Sequence, residues 1–440
     1  MTSFRTSAAC LCIATLLATS LAHAQRTSST TETTRSSLTA LPSGITETTL
    51  AMHVIAPTSL RSVQIEDNDA SETLYRVAAA TKTFTSTPHV DLGAFGAAIH
   101  AILKSNVTGY VLQVRQNGTV VHNGIWEWAQ TTSDGGKGWT LDTRMHVASV
   151  SKFLTSVAMV KVLDAKGISY DAPIAPYLPA YWSKGMNVDD ITFRHLFRHR
   201  SGFKVEGSAS DYATMKSKVA AGVSDVGSSS GYENMNFGIM RILIPIINGD
   251  ISKSAKFMDD TDLNDKAWDA VTLYLFRNYM QANVFNPAGV SNVQFKPVSG
   301  IPHALAYRFP DSGDGWNSGD VSPWAGGASF HLSVNELLTV LDHVRRRNTI
   351  IPASKAQYML DNLFGLDQVF TTPAGKIYNK NGAWRSSCVA DTKNCKTEQS
   401  VAYFLPNGME LAVFVNSPIG SEAFSLRGIV KDAYIASLSQ

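Results

Sequence analysis

Two predicted β-hairpins stand far apart in the chain, and their separation constrains the fold more than any other feature. The first, GYVLQVRQNGTVVHNGIW, has β-branched strands on either side of Asn117 and Gly118, a strong signal for a two-residue turn. The second, SVAYFLPNGMELAVFVNSP, has two apolar strands around a Pro-Asn-Gly turn at 406–408. Helical periodicity begins at Val90 and returns in the last segment, EAFSLRGIVKDAYIASLS. We therefore predict an α+β fold in which distant parts of the chain close one antiparallel sheet flanked by helices.

The residues between the hairpins, from about 150 to 370, carry helical patterns and many turn signals. They predict a mostly helical subdomain inserted between the parts that form the sheet. We place the folded domain at residues 90–440 and find no interpretable pattern in residues 48–89. Residues 25–47 are rich in serine and threonine and poor in large apolar side chains, which predicts a flexible tether.

The first 24 residues predict an export signal. Arg5 is followed by an apolar stretch and by Ala-His-Ala just before Gln25, a pattern typical of signal peptidase cleavage. The stretch is shorter than a membrane span and no later run is long enough, so we predict no membrane span. In a periplasmic or secreted protein, Cys388 and Cys395 are expected to form a disulfide, with two free thiols as the alternative.

The overall composition limits the possible partners. The 440 residues include 38 Lys and Arg against 36 Asp and Glu, a net charge of +2. So balanced a charge does not favour binding to nucleic acid or to an anionic membrane. Hydrophobic residues make up 44% and charged residues 17%, which is typical of a globular protein and argues against disorder of the whole chain.

Ser149 and Lys152 stand one helical turn apart at the head of an apolar run, VSKFLTSVAMVKVLDAKG. The run is apolar on nearly every side, which predicts a helix buried in the middle of the protein and ended by Gly167. A serine needs a base to become a nucleophile, and a lysine among apolar residues has its charged form disfavoured, which makes it a plausible base. Backbone N–H groups at a helix start also favour a developing negative charge. The alternative is a serine that caps the helix and a lysine that extends to solvent.

Two later motifs carry the other groups that such a site would need. GYENMNFGIM places Tyr232 and Asn234 ahead of a helical segment, and IYNKNGAW places Lys380, Asn381 and Gly382 before the second hairpin. A phenol, an amide and a second lysine are the groups that acyl transfer needs around a serine and lysine pair. The three motifs, in this order, resemble those of the serine β-lactamase and penicillin-binding protein superfamily, closest to its class C β-lactamase and esterase branch. The resemblance extends to ISYDAPIAPYLPAYW, ITFRHLFRHRSGF, NVFNPAGV and WAGGASFHLSVNELLTVL.

The resemblance implies a role for each matching residue. Ser149 is expected to be the acylated nucleophile, with Lys152 and Tyr232 sharing the proton transfers. Asn234 is expected to hold Lys152 and the acyl side chain of the substrate. The charge of Lys380 is expected to lower the pKa values of Lys152 and Tyr232. No metal ion and no organic cofactor are implied.

The third motif also supplies the expected oxyanion hole and a departure from the family. The backbone N–H groups of Ser149 and Ala383 are expected to stabilise the oxyanion. The motif reads Lys-Asn-Gly where β-lactamases have Lys-Thr-Gly, and the threonine hydroxyl there helps to bind the carboxylate of the lactam. Asn381, which precedes Gly382, has an amide with a different reach. The segment RSSCVADTKNCK also inserts a loop beside the cleft.

These observations predict an exported serine hydrolase that acts on a small ester or amide, with esterase or peptidase-like activity and poor turnover of β-lactams. Its partner would be a small-molecule ester, peptide or β-lactam. One alternative is a class C-type β-lactamase. Another is a non-catalytic peptidoglycan-binding homologue, but the presence of Ser149, Lys152 and Tyr232 together favours an enzyme.

Two further motifs fit other chemistries. The sequence GSSSG at 227–231 matches the nucleophile elbow of an α/β-hydrolase, with Ser229 as the nucleophile, but no apolar strand precedes it. His195 and His199 are four residues apart and could face a zinc ion on one helix, but the glutamate of the metalloprotease motif is absent. We expect a polar loop in the first case. In the second we expect helix packing and a structural hydrogen bond.

Overall fold

The computed structural model describes residues 38–45, 84–205, 210–228, 231–310, 312–386, 395–420 and 425–440. The predicted export signal, Ser229 and Cys388 lie outside these ranges. Cys395 is described and fully buried, and its pairing with Cys388 stays a prediction. Within the described ranges, no helix is both long and apolar enough to cross a membrane.

Strands and helices are numbered here in chain order over the described residues. The strands are β1 (His89–Val90), β2 (Gly109–Gln116), β3 (Thr119–Gln130), β4 (Lys137–Gly138), β5 (Met145–His146), β6 (His331–Leu332), β7 (Gln368–Thr372), β8 (Gly375–Arg385), β9 (Thr397–Leu405), β10 (Met409–Val415) and β11 (Leu438–Ser439). The helices are α1 (Leu92–Leu103), α2 (Ser151–Ala165), α3 (Phe193–Phe197), α4 (Tyr212–Ala221), α5 (Met235–Gly238), α6 (Met240–Asn248), α7 (Thr261–Met280), α8 (Val334–Arg345), α9 (Ala353–Asp361) and α10 (Leu426–Ala436).

One antiparallel sheet has the strand order β4-β3-β2-β10-β9-β8-β7. Strands β2 and β3 form the first predicted hairpin, and β9 and β10 form the second. Asn117 and Gly118 in the first turn, and Asn407 and Gly408 in the second, all have positive φ, as asparagine and glycine allow. Strand β10 of the second hairpin pairs with β2 of the first. The prediction of one sheet closed by distant parts of the chain is therefore confirmed.

The two faces of the sheet pack against different helices. Because side chains alternate along a strand, Val413 and Phe414 of β10 point to opposite faces. Val413 joins an apolar cluster with α1 and α10, whereas Phe414 joins a larger cluster with α2, α6, α7 and α8. Helices α2 to α9 lie between β5 and β7 in the chain, so the predicted helical insertion is also confirmed.

Helix α2 is the buried helix expected from its apolar sequence. Every residue from Ser151 to Val160 is buried, and the helix ends just before Gly167, whose φ is +64°. Its start differs from the prediction. Ser149 lies in a separate 3-10 turn, Ala148–Val150, that leads into the helix.

Part of the predicted tether packs against the helical subdomain. The Thr39 N–H donates to the carbonyl oxygen of Lys256 at 2.7 Å, and the Lys256 N–H donates to Thr39 Oγ1 at 3.2 Å. The Tyr274 hydroxyl donates to the carbonyl oxygen of Ser43, and Ile45 is buried. Over residues 38–45 the structure therefore differs from a flexible tether, because an apolar side chain and backbone hydrogen bonds hold this segment in place.

Candidate active site

The 3-10 turn and the first turn of α2 bring Ser149 and Lys152 together. Lys152 Nζ lies 2.9 Å from Ser149 Oγ, and both residues are fully buried. Nζ also donates to Asn234 Oδ1 at 2.6 Å and to the carbonyl oxygen of Gly327 at 3.1 Å. Once the amino group has lost a proton, its two remaining N–H groups can stay on Asn234 and Gly327 while its lone pair faces the serine hydroxyl. In that form Lys152 would be suited to accept the serine proton.

The turn that carries the serine is held under backbone strain. Ala148 has a φ of +44°, a region that residues other than glycine rarely adopt. The turn is fixed on both sides of it: the Val150 N–H donates to the Val147 carbonyl oxygen at 3.1 Å, and Ser400 Oγ of β9 donates to the same oxygen at 2.7 Å. The Val147 N–H in turn donates to the Phe330 carbonyl oxygen at 2.9 Å. Strained backbone of this kind persists where surrounding contacts fix it, often at functional sites.

Strand β8 runs beside this turn and carries the third motif. Because side chains alternate, Lys380, Gly382 and Trp384 face the side of the sheet on which the turn lies. Trp384 packs with Ala148 in a small buried cluster. At Gly382 the approach is so close that an added Cβ atom would lie 2.7 Å from the Ser149 backbone nitrogen.

The same strand directs a second N–H group to its open edge. The Asn381 N–H donates to Asp367 Oδ2 at 2.9 Å, on the side of β8 away from β9. Backbone groups two residues apart in a strand point to the same edge, so the Ala383 N–H also points there. The Ser149 N–H lies next to Gly382, the residue between these two. The two N–H groups predicted to form the oxyanion hole are therefore neighbours in the structure.

The ring of Tyr232 lies close to both lysines. Lys380 Nζ donates to the Tyr232 hydroxyl at 3.3 Å. The ring centroid is 4.6 Å from Lys152 Nζ and 4.9 Å from Lys380 Nζ. His199 stacks on the ring, with centroids 4.2 Å apart and an interplanar angle of 26°. Two amino groups this close would stabilise a phenolate and place Tyr232 within the path of proton transfer.

His199 has the expected structural hydrogen bond and also supports the site. His199 Nδ1 lies 3.0 Å from the backbone nitrogen of Glu233 and 3.1 Å from its carbonyl oxygen, so the main chain of Glu233 holds the ring in place. Burial, together with the charges of Lys152 and Lys380, holds the pKa of His199 well below its usual value, so the ring stays uncharged. His195 instead accepts a hydrogen bond from the backbone N–H of Thr192, the residue that caps the start of α3. The two histidines therefore have separate partners.

Asp367 is a residue of the site that the sequence analysis missed. Its Oδ1 lies 2.5 Å from Lys380 Nζ, and its Oδ2 accepts the Asn381 N–H. Arg427 Nη1 is 3.7 Å from the same Oδ2. The Asp367 side chain is 9% exposed and that of Lys380 only 1%. The lysine of the third motif is thus part of a nearly buried ion pair.

A turn signal in the sequence could have revealed Asp367. The sequence Thr-Pro-Ala-Gly at 372–375 joins β7 to β8 in a tight hairpin, and Gln368 pairs with Asn379. One residue further along this register, Asp367 faces Lys380. Opposite charges directly across two strands attract each other. The pairing can therefore be predicted from the sequence once the hairpin is recognised.

The family of the chain follows from its match over most of this domain. Residues 95–427 match the family model for Beta-lactamase. The chain belongs to the beta-lactamase family. The matched range includes the serine turn, Tyr232 and the whole of β8, so the predicted resemblance to β-lactamase-related serine hydrolases is confirmed.

Curated and solved members of this fold resemble the chain to different extents. The esterase/beta-lactamase LipL of Mycobacterium tuberculosis is 29% identical over 121 residues, which cover 26% of this chain and 27% of LipL. The chain thus matches about a quarter of the length of this curated relative. A D-stereospecific amidohydrolase from Streptomyces has a TM-score of 0.54 and 19% identity, covering 78% of this chain and 98% of its own. A class C beta lactamase from Rhodobacter sphaeroides has a TM-score of 0.56 and 16% identity, with the same coverage of 78% and 98%. At these identities the two structures confirm the predicted β-lactamase/transpeptidase-like fold.

Proposed function

We propose that this member of the beta-lactamase family hydrolyses small esters or amides through an acyl-enzyme formed on Ser149. The observation that carries the proposal is the contact of 2.9 Å between Lys152 Nζ and Ser149 Oγ, two residues that are both fully buried. Asn234 and Gly327 accept hydrogen bonds from the amino group, and in its uncharged form these two contacts would leave its lone pair for the hydroxyl. A serine with a base so oriented is the arrangement that nucleophilic catalysis needs.

The reaction would proceed in two balanced halves. As Ser149 Oγ bonds to the carbonyl carbon, its proton passes to Lys152, and the negative charge on the carbonyl oxygen is stabilised by the N–H groups of Ser149 and Ala383. The bond to the leaving group breaks, and that group receives the proton through Lys152 or Tyr232. Water then attacks the acyl carbon, gives a proton to the same groups, and releases the acid as Ser149 regains its hydrogen.

The comparisons support this class of substrate. Esters and amides share the carbonyl chemistry described above. LipL is described as an esterase and beta-lactamase, and the Streptomyces protein as an amidohydrolase. Hydrolysis of β-lactams is the second candidate, favoured by the family match and by the class C neighbour. Asn381 in place of the family threonine counts against efficient turnover of β-lactams.

A labelling experiment tests the nucleophile. A fluorophosphonate probe should add one label to the purified protein, and Ser149→Ala should abolish it. Ser151→Ala is the matched control, because Ser151 is buried two residues away but its Oγ accepts the N–H groups of Ser329 and Phe330. Ser151→Ala should keep the label, and so should Ser229→Ala. Persistent labelling of Ser149→Ala, or its loss in Ser229→Ala, would overturn the proposal.

Turnover needs a separate measurement, because a label alone shows only a reactive serine. We expect short-chain p-nitrophenyl esters to be hydrolysed, with nitrocefin slower. Absence of both labelling and turnover on these substrates and on a peptide ending in D-Ala-D-Ala would instead support the non-catalytic homologue.

We also propose that the chain is exported, on the basis of the Ala-His-Ala pattern before Gln25. Expression of the full chain followed by cell fractionation and mass spectrometry of the N-terminus tests this. Cleavage near Gln25 in the exported fraction is the expected result, and an uncleaved chain confined to the cytoplasm would contradict it.

A further inference from the structure

Two hydrogen-bond donors and a further positive charge surround the carboxylate of Asp367. Lys380 supplies an amino group at 2.5 Å and Asn381 a backbone N–H at 2.9 Å, and a guanidinium nitrogen of Arg427 lies 3.7 Å away. An amino group, a guanidinium and a backbone N–H are the donors that proteins use to bind carboxylates. The site therefore contains a carboxylate-binding cluster, and a side chain of the protein itself fills it.

The position of this carboxylate is fixed by the sheet. The Asp367 N–H donates to the carbonyl oxygen of Asn379 at 2.9 Å, which continues the ladder between β7 and β8. The side chain is 9% exposed, and its main partner Lys380 is 1% exposed. Its two oxygens have different partners, so rotation of the carboxylate would break both contacts. Asp367 is thus held in place before any substrate arrives.

The cluster is beside the reacting groups rather than remote from them. The same Lys380 Nζ that binds Asp367 also donates to the Tyr232 hydroxyl at 3.3 Å. Asn381 is two residues from Ala383, whose N–H points to the same edge of β8. A substrate bound with its carbonyl oxygen near Ala383 would place its leaving group or acyl side chain close to this cluster.

We infer that Asp367 acts as a resident carboxylate that excludes substrates bearing a carboxylate next to the scissile bond, and so restricts the enzyme to esters and amides that are uncharged there. This inference rests on the proposed function and adds the substrate class to it. An incoming carboxylate would find the Asn381 N–H and one N–H of Lys380 engaged by Asp367, and a second N–H of Lys380 engaged by Tyr232. It would also meet a second negative charge at short range, which disfavours the acidic substrate without affecting a neutral one.

Matched esters test the inference directly. The probes are two aryl esters of the same acyl group, one with a meta-carboxylate on the leaving phenol and the other with a meta-carboxamide. The wild-type protein should prefer the carboxamide by about 10- to 100-fold in kcat/KM, which lies within the range of roughly 5- to 900-fold for a like-charge contact between the aqueous and the partly buried limits. Raising the ionic strength should reduce this preference only slightly, because salt screens exposed charges much more than a carboxylate that is 9% exposed.

The variant Asp367→Asn keeps the shape of the side chain and removes its charge. It should lower the ratio of the two kcat/KM values by at least about tenfold, whatever its effect on either rate alone. Asp265→Asn is the control: Asp265 forms an ion pair of 2.8 Å with Lys216 between α7 and α4, and its replacement should leave the ratio unchanged. A purely structural role for Asp367 would slow both esters equally.

The outcomes separate the two proposals. If the neutral ester is hydrolysed but the wild-type protein shows no preference for it, the inference on Asp367 is wrong and the acyl-enzyme proposal stands. An unchanged ratio in Asp367→Asn would overturn the inference in the same way. The preference of the wild-type protein between the two esters tests the inference even if Asp367→Asn does not fold. If neither ester is hydrolysed and Ser149 takes no label, the proposed function fails and the inference fails with it.

Discussion

Gly382 lies so close to Ser149 that a Cβ atom added to the glycine would stand 2.7 Å from the serine backbone nitrogen. It would also stand 2.5 Å from the carbonyl oxygen of Val147. Both are backbone atoms, which cannot swing aside as the end of a flexible side chain could. This contact sets the spacing between the serine turn and strand β8, and with it the spacing of the two N–H groups that we propose as oxyanion donors.

Gly382→Ala should therefore separate the oxyanion donors and slow acylation. Loss of one such donor typically costs about 10²- to 10³-fold in kcat, and we expect a loss in that range for p-nitrophenyl ester hydrolysis. Gly138→Ala in β4 is the control, because its added Cβ would meet nothing closer than 3.7 Å. Activity within about twofold of wild type in Gly382→Ala, at equal thermal stability, would show that the turn can move without harm.

Asn381→Thr restores the residue that the family usually has in the third motif. Because Asp367 still occupies Lys380, we expect nitrocefin turnover to change by less than about threefold. In an Asp367→Asn background the same substitution should raise nitrocefin kcat/KM by about tenfold or more, the lower limit for one charge-assisted hydrogen bond. The measurement is a double-mutant cycle on nitrocefin. Additive effects of the two substitutions would contradict the coupling that we expect.

His331 makes stability depend on pH. Burial, and then the charges of His146, His303 and Arg144, hold the pKa of His331 well below its usual value of about 6.5. Below pH 6.5 the unfolded chain therefore takes up a proton that the native protein does not. The stabilisation from this residue is complete above pH 6.5 and falls as the pH drops, by about 1.4 kcal/mol per pH unit.

His331→Phe should remove this contribution while still allowing a stacked ring against His146. Urea unfolding at pH 7, 6 and 5 should show a shallower loss of stability in the variant than in the wild type. A slope identical in the two proteins would mean that His331 is protonated in the native state over the same range.

The two cysteines of the domain should form a disulfide in exported protein. Cys395 is fully buried, so reagents must be applied to denatured protein to test for a free thiol. We expect no titratable thiol without reduction, two after reduction, and one in Cys388→Ser. Closing so short a loop should stabilise the fold by about 2 kcal/mol. Two thiols in the denatured, unreduced protein would rule out the disulfide.

Much of the architecture could be predicted from local sequence patterns. Asn-Gly turns between β-branched or apolar strands indicated both hairpins, because only a few residues tolerate positive φ at two successive positions. The apolar run after Ser149 indicated the buried helix α2, since a helix without a polar face must be covered on all sides. Motif order then indicated which side chains would meet, although they are spread from Ser149 to Ala383.

The tertiary structure decided what depends on contacts between distant segments. The ion pair of Asp367 with Lys380 and the stacking of His199 on Tyr232 follow from strand register and helix placement, which no short motif encodes. The docking of residues 38–45 depends on a surface of the helical subdomain that forms only on folding. By itself the sequence determined the elements, the motif residues and the chemistry they offer, because these depend on residue type and local periodicity. Only the fold decided the charge around Lys380 and the hydrogen-bond partners of Lys152, because both depend on residues far away in the chain.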